Sequence, residues 1–269
     1  MFKTLKSIII DNIKWRSQIW RLAIFELQKV VRGAVLGWFW LFVKPLTYIG
    51  VFWFALEIGL RAGSTLDSTP FIIWLACGLI PWFYMADMIG TGANVYKRYS
   101  HLINRVSFPA AVIPSFFSLS HFIIFAVSLV VLLIALPISG FPLTLYLLQV
   151  PFMALFMFLF FILFSLMISP LSAISKDFAN LMQTLGLPIF WLSGVIFNID
   201  TIAVPWLKWL FVFNPVSFFI TGFRAALCEH YWIWEKPELL YGFGLVFLIT
   251  FVLALLCHHR LGREVADAL

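Results

Sequence analysis

Few side chains in this sequence are equipped for chemistry, and the most telling ones sit where charge is costly. Asp87 lies well inside an apolar run, PWFYMADMIGTG, and His121 lies inside another. A carboxylate at that depth costs about 2.5–3.5 kcal/mol on insertion scales. Asp87 must therefore face a bundle interior or a water-filled path, or pair with a base such as Arg32 or Lys44. His121 suits an interhelical hydrogen bond or a proton relay. His258 and His259 point about 100° apart on a helix, a poor metal site and a natural interfacial anchor beside Arg260. His101 falls in a basic loop, and Glu57 stands four residues before Arg61, the spacing of a local ion pair. The dipeptide Gly-Lys does not occur, so a phosphate loop of the form G-x-x-x-x-G-K-S/T is absent, as are H-E-x-x-H and G-x-S-x-G. If the chain works by ATP hydrolysis, another polypeptide must supply the nucleotide site. No metal site is expected. Cys77, Cys228 and Cys257 are odd in number and sit in apolar surroundings, which favours packing over disulfides.

The elements that hold these residues follow from composition. Of 269 residues, 63% are hydrophobic and 11% charged, with a mean hydropathy of +1.02. Soluble domains are about 45–50% apolar and about 25% charged, so a soluble fold is excluded, together with disorder, coiled coil, collagen and a disulfide scaffold. The 31 Phe and 12 Trp suit lipid contact and headgroup-level belts. Six runs reach the roughly 20 apolar residues that a membrane crossing needs: 34–60, 71–94, 110–136, 143–169, 178–199 and 239–257. Gly186 and Pro188 interrupt the fifth.

An even number of spans puts both termini on one side. With the N-terminus inside, 14 Lys and Arg fall on the cytoplasmic side and Arg61, Lys208, Arg224 and Lys236 outside. That asymmetry is the positive-inside pattern. It assigns the net charge of +6 to topology and not to nucleic acid. Met1 to Arg32 interleaves charges and lacks the uninterrupted core of a signal peptide. Within it, Ile13, Trp20, Ile24, Leu27 and Val31 share one helical face opposite a basic one, the pattern of a helix lying in the membrane interface. Residues 201–235 are apolar but broken at Pro205 and at Asn214-Pro215. Two re-entrant or interfacial external helices fit them, and so does a further pair of spans. Residues 95–105, VYKRYSHLINR, read either as a solvated basic loop or as a short helix that docks a partner.

These pieces in order, LGWFWLFVKPL (36–46), GLIPWFYM (78–85), NRVSFPAAVIP (104–114), SKDF (175–178), SGVIF (193–197) and FNPVSFFITGFR (213–224), then a basic tail ending REVADAL, resemble the permease subunit of ABC-2-type exporters. This is the group that moves teichoic acids, O-antigens and capsular glycans. The stretches around 71–86 and Arg16 to Glu26 look closer to the teichoic-acid members. Lys176-Asp177 departs from an Arg-Asp pair frequent in the family, and Ser193-Gly194 from a Ser-Pro pair.

The resemblance implies an all-α polytopic bundle of six transmembrane helices, an N-terminal amphipathic interface helix and two short re-entrant external helices. It implies a homodimer in the bacterial cytoplasmic membrane, served by separate ATPase subunits that carry ATP and Mg. Its cargo would be an undecaprenyl-linked glycan. Residues 95–105 would form the coupling helix, with Tyr96, Lys97, Arg98, Tyr99, His101 and Asn104 as ATPase contacts. Glycan chains present apolar ring faces, so Trp38, Trp40, Trp53, Trp82, Phe83 and Tyr84 are candidates for a sliding path and equally for lipid contact. Arg32 and Lys44 flank the start of the first span at a depth that suits a lipid pyrophosphate, or headgroup snorkelling. Two other classes compete with the permease reading. A membrane-embedded transferase would have only Asp87 and His121 to work with. An ion-coupled transporter would need an inverted repeat and paired intramembrane carboxylates, and neither is evident.

Overall fold

The computed structural model describes residues 2–60, 69–106 and 108–268. Arg61, expected to pair with Glu57, lies outside the described residues, as do the side chains of Arg105 and Arg263 from the charge tally. The protein is all-helical, 86% helix, with no strand among the described residues. Among the described residues, five helices are long and apolar enough to cross a membrane: Gly37–Gly59, Phe71–Asn104, Ala110–Ile138, Leu145–Ile174 and Pro237–Gly262. A sharply bent pair, Pro205–Val212 with Pro215–Glu229, brings the number to six if it counts as one span.

Two helices precede the bundle, α1 (Phe2–Lys14) and α2 (Arg16–Val31), where a single interface helix was expected. The break falls at Trp15, whose ring meets Phe108 edge-on at 4.8 Å. The predicted apolar stripe is only partly the packed one. Ile13 and Trp20 are exposed, and a neighbouring stripe of Trp15, Ile19, Leu22, Ala23 and Glu26 turns inward. The Glu26 carboxylate at the end of the inner stripe, and the stripe's shortness in apolar residues, conceal it from any count of apolar residues.

The first span is α3 (Trp40–Trp53), extended by a 3₁₀ turn before it and a π turn after it. Ile49 is its buried residue, and the helix is largely open to its surroundings. The second, α4 (Phe71–Gly90), is the central post: most of its side chains are buried although Pro81 sits within it. It breaks at Thr91–Asn94 before the short helices α5 (Val95–Arg98) and α6 (Ser100–Val106). The break is stitched to the next layer, because Ser165 and Ser169 both donate to the Gly92 carbonyl, at 2.7 and 3.1 Å. Such hydroxyls answer a carbonyl that lipid cannot.

The helices α7 (Ile113–Ile138) and α8 (Val150–Ile174) each begin with Pro in the first turn, where no donor is lost. The helix α12 (Pro237–Ala268) runs along α8. Phe116, Phe117, Phe160, Phe161 and Phe219 fill the centre. In lipid such a core is held by close packing more than by water exclusion.

The fifth expected span, 178–199, takes a different form. Its helix α9 (Lys176–Trp191) has 16 residues, about 24 Å of rise against the roughly 30 Å of a hydrocarbon core. Ser175 caps its start by accepting from the Phe178 amide. A turn ends it, with Gly194 at φ +67°, a left-handed conformation that glycine adopts without penalty. The stretch 201–235 forms α10 (Pro205–Val212) and α11 (Pro215–Arg224), bent by 88° at their junction. Asn214 shapes that bend. Its Oδ1 accepts from the Val216 amide and its Nδ2 donates to the Leu192 carbonyl and the Ser193 hydroxyl.

Candidate functional site

The polar and aromatic residues singled out in the sequence converge in part on one cavity of about 530 Å³ between α3, α4, α7 and α9. On α3 its lining recurs every four residues, Trp40, Lys44, Tyr48 and Phe52, which is one face of a helix. On α4 the facing residues are Leu79, Trp82, Phe83, Ala86 and Asp87, the three-and-four alternation of the same geometry. Tyr48 meets Phe83 with ring centres 5.8 Å apart. Antiparallel packing about that pair sets Lys44 level with Asp87 and Phe52 level with Leu79. Phe190 of α9 closes the far wall, 5.3 Å from both Phe52 and Trp82.

The cavity is thus polar at the end near α2 and aromatic along its length. His121 of α7 supplies the third polar group. Its Nδ1 lies 3.0 Å from the Phe117 carbonyl and its Nε2 3.9 Å from Asp87 Oδ2. The Ser120 hydroxyl lies 3.1 Å from the same Nδ1, and the gap from Nε2 to the carboxylate is longer than a hydrogen bond. His121 is thus the basic side chain within 4 Å of Asp87 among the described residues, and neither Arg32 nor Lys44 forms the pairing considered from the sequence. Lys44 shares the cavity, whereas Arg32 is exposed at the end of α2 and does not line it.

The six aromatic candidates divide. Trp40, Trp82 and Phe83 line the cavity. Trp38 lies in a separate apolar pocket with Leu27 and Phe42, and Trp53 packs against the core. Tyr84 points into the bundle, where its hydroxyl shares a 2.7 Å hydrogen bond with Ser118 and its ring lies among Phe122, Phe125 and Phe161. Tyr48, Phe52 and Phe190 are the wall residues that sequence reasoning missed. The step of four from Lys44 was the signal for the first two.

The segment 95–105 forms a second site at the same end. Tyr96 and Tyr99 are buried and anchor it, while Arg98, His101 and Asn104 are exposed and Lys97 half-buried. Arg98 Nη2 reaches Glu26 Oε2 of α2 at 3.1 Å, and Lys29 binds the other carboxylate oxygen. Glu26 is only 4% exposed. Burial pushes its carboxyl up. The hydrogen bond from Lys29 and the charges of Lys29 and Arg98 outweigh this and hold it below its ordinary 4.5. Two separate pieces of chain, α2 and α5, are thereby fastened through one carboxylate.

A third cluster has no counterpart in the sequence reading. Arg224 is 4% exposed. It donates from Nη1 to the Gly194 carbonyl at 2.7 Å, from Nη2 to the Val195 carbonyl at 2.5 Å, and more weakly from Nε to the Trp74 carbonyl. Its guanidinium lies 3.3 Å from the centre of the Trp74 ring, and the indole N–H donates to Glu229 at 2.9 Å. Gly78 admits it: a Cβ there would come within 2.5 Å of Nη2. Arg224 therefore ties α11 both to α4 and to the turn that ends α9.

Residues 17–228 match the family described as ABC-2 type transporter. Among curated proteins, the chain is similar to the O-antigen export system permease protein RfbA of Myxococcus xanthus, 23% identical over 83% of this chain and 85% of that one. Two proteins of the same description from Klebsiella pneumoniae are 20% and 21% identical, each over 84% of this chain and 85% of their own.

Proposed function

The chain belongs to the ABC-2 type transporter family, and from that membership we propose that it is the permease subunit of an ATP-driven exporter of a lipid-linked cell-surface glycan. The O-antigen export permeases among its relatives support polysaccharide as the cargo. Wall teichoic acid and O-antigen or capsular chains are the classes that fit. The chain resides in the bacterial cytoplasmic membrane with both termini inside, and a second copy completes the unit. ATP and Mg belong to a separate ATPase subunit.

The observation that carries this reading is the cavity whose polar end holds Lys44, Asp87 and His121 and whose walls are aromatic. Lys44 would meet the phosphate or pyrophosphate of the undecaprenyl carrier, with Asp87 and His121 supplying hydrogen-bond partners beside it. Tyr48, Phe52, Trp82 and Phe83 would stack on the apolar faces of successive sugar rings. Stacking of this kind is tolerant of ring identity and orientation, so a chain can slide without one tight resting place. The motor would act from the end that carries α2. There Lys97, His101 and Asn104 face a docking ATPase, Tyr96 and Tyr99 root the segment in the bundle, and the Glu26–Arg98 pair carries its movement into α2.

Removal of the chromosomal copy, followed by complementation, tests the proposal, with surface glycan read by antibody or lectin blot of whole cells. Wild-type chain with its ATPase restores surface glycan, and either component alone does not. Glycan at the surface without this chain, or without any ATPase, would overturn it.

A further inference from the structure

At the end of the bundle away from α1 and α2, the turn after α9, the helices α10 and α11 and the start of α12 enclose a cavity of about 300 Å³. This chain uses charge sparingly, at 11% of residues. Yet three cations, Lys208, Arg224 and Lys236, and three carboxylates, Asp200, Glu229 and Glu238, line this one space. Opposite charges in equal number leave no net charge to favour a phosphate or a metal ion. They offer instead a dense set of fixed donors and acceptors.

Part of the set is already engaged. Lys236 Nζ holds Asp200 at 2.5 Å, Trp74 donates to one oxygen of Glu229, and Arg224 is taken by backbone carbonyls. The rest is not. Lys208 and Glu238 are exposed and have no ion-pair partner among the described residues. The hydroxyl of Tyr231, which also lines the cavity, is buried without a hydrogen-bond partner among them. A buried hydroxyl left unpaired is unfavourable, and a ligand that bonds it removes that cost. Beside these groups Trp209 presents a ring that is 60% exposed.

A flat aromatic face flanked by charged donors and acceptors of both signs fits a neutral, hydroxyl-rich ring, whose C–H face stacks while its hydroxyls both give and accept hydrogen bonds. The volume falls at the lower bound of small-molecule sites, about 300–1,000 Å³, which suits one or two sugar rings. We propose that this cavity is an exit-side site that takes a pyranose unit of the glycan as it leaves. Lys208, Glu238 and the Tyr231 hydroxyl bond its hydroxyls and Trp209 stacks on its ring. The assignment to the departing glycan rests on the export reading above, and the chemistry of the cavity is independent of it.

Saturation-transfer NMR on the purified full chain in detergent tests it, with the methyl pyranosides of glucose, mannose, galactose, rhamnose and N-acetylglucosamine as probes. At least one receives transfer from the wild type. The signal falls about fivefold or more in Trp209→Ala and in Lys208→Ala, each of which removes one contact worth about 1 kcal/mol, and Lys208→Arg restores it. Both positions are exposed, and unchanged melting and elution verify that the variants fold. Transfer from none of the probes, or transfer undiminished in both variants, overturns the site. If surface glycan still depends on this chain while no pyranoside binds, the exit site falls and the export reading stands. Surface glycan that is independent of the chain removes the export reading, and with it the assignment of the cavity to departing glycan.

Discussion

Arg98 and Glu26 meet at 3.1 Å across 72 residues of chain, and this contact joins the segment expected to receive a motor to the helix that lies beside it. Removing one partner of a buried pair strands the other, and that loss exceeds what the pair contributes when intact. Glu26 is the buried member, and Arg98 is substantially exposed. Arg98→Ala is therefore expected to lower stability by about 1–2 kcal/mol, because Lys29 still serves the carboxylate. Glu26→Gln should uncouple ATP hydrolysis from transport while the chain remains folded. Thermal melting in detergent and an ATPase assay of the reconstituted complex read the two effects.

The same carboxylate sets a pH limit. Its acidity is enhanced in the folded chain, so the stability it lends is present above the ordinary value of 4.5 and disappears as pH falls through the lowered value. The protection of α2 amides, taken relative to their intrinsic exchange rate at each pH, should thus be flat from neutral pH down to 4.5 and fall below it. In Glu26→Gln that acid step should vanish. A step at higher pH would contradict the assignment.

At the polar end of the larger cavity, Lys44→Ala and Asp87→Asn are each expected to reduce export roughly tenfold, the equivalent of about 1.4 kcal/mol. Expression and melting should change little, since both side chains border open space. His121→Gln should retain part of the activity, because its amide can still meet the Phe117 carbonyl. Surface glycan per copy of protein measures all three.

Aromatic residues on different faces should separate by phenotype. Tyr48→Ala with Phe83→Ala is expected to impair export in a folded protein. Tyr84→Phe should leave transport near normal and lower stability by about 0.5–1.5 kcal/mol through loss of its bond to Ser118. Melting curves beside transport assays distinguish a wall residue from a core residue.

The bend between α10 and α11 depends on Asn214, and Asn214→Ala should cost about 0.5–2 kcal/mol, the range for loss of an N-cap. At Gly78 the demand is steric. Gly78→Ala should destabilise by about 1–3 kcal/mol, because the added methyl meets the Arg224 guanidinium and the Val195 carbonyl. Combined with Arg224→Met the penalty should be less than additive, which a double-mutant cycle reveals.

What could be read from the residues, and what could not, follows from how each signal is written in the chain. Spans announced themselves through long apolar runs, and five of the six expected runs are helices of crossing length. The helix of the remaining run, 178–199, passes through Pro188 but stops at Trp191, before the turn at Gly194, where hydropathy still reads the chain as apolar. Asp87 and His121 stood out because lipid tolerates few such groups, although their partnership requires α4 and α7 to lie side by side. Trp38, Trp53 and Tyr84 misled because aromatic residues are so abundant here that type alone does not select a face. The step of four from Trp40 to Phe52 does select one. Arg224 and Glu229 were invisible as a site, because the carbonyls and the indole that engage them come from residues 74, 194 and 195, distant in sequence.

The Gly92 carbonyl is met at once by two serines one helical turn apart on α8. Either hydroxyl alone is enough to keep that oxygen from facing hydrocarbon bare, so the break in α4 carries a duplicate safeguard, and its polar cover survives the loss of one serine.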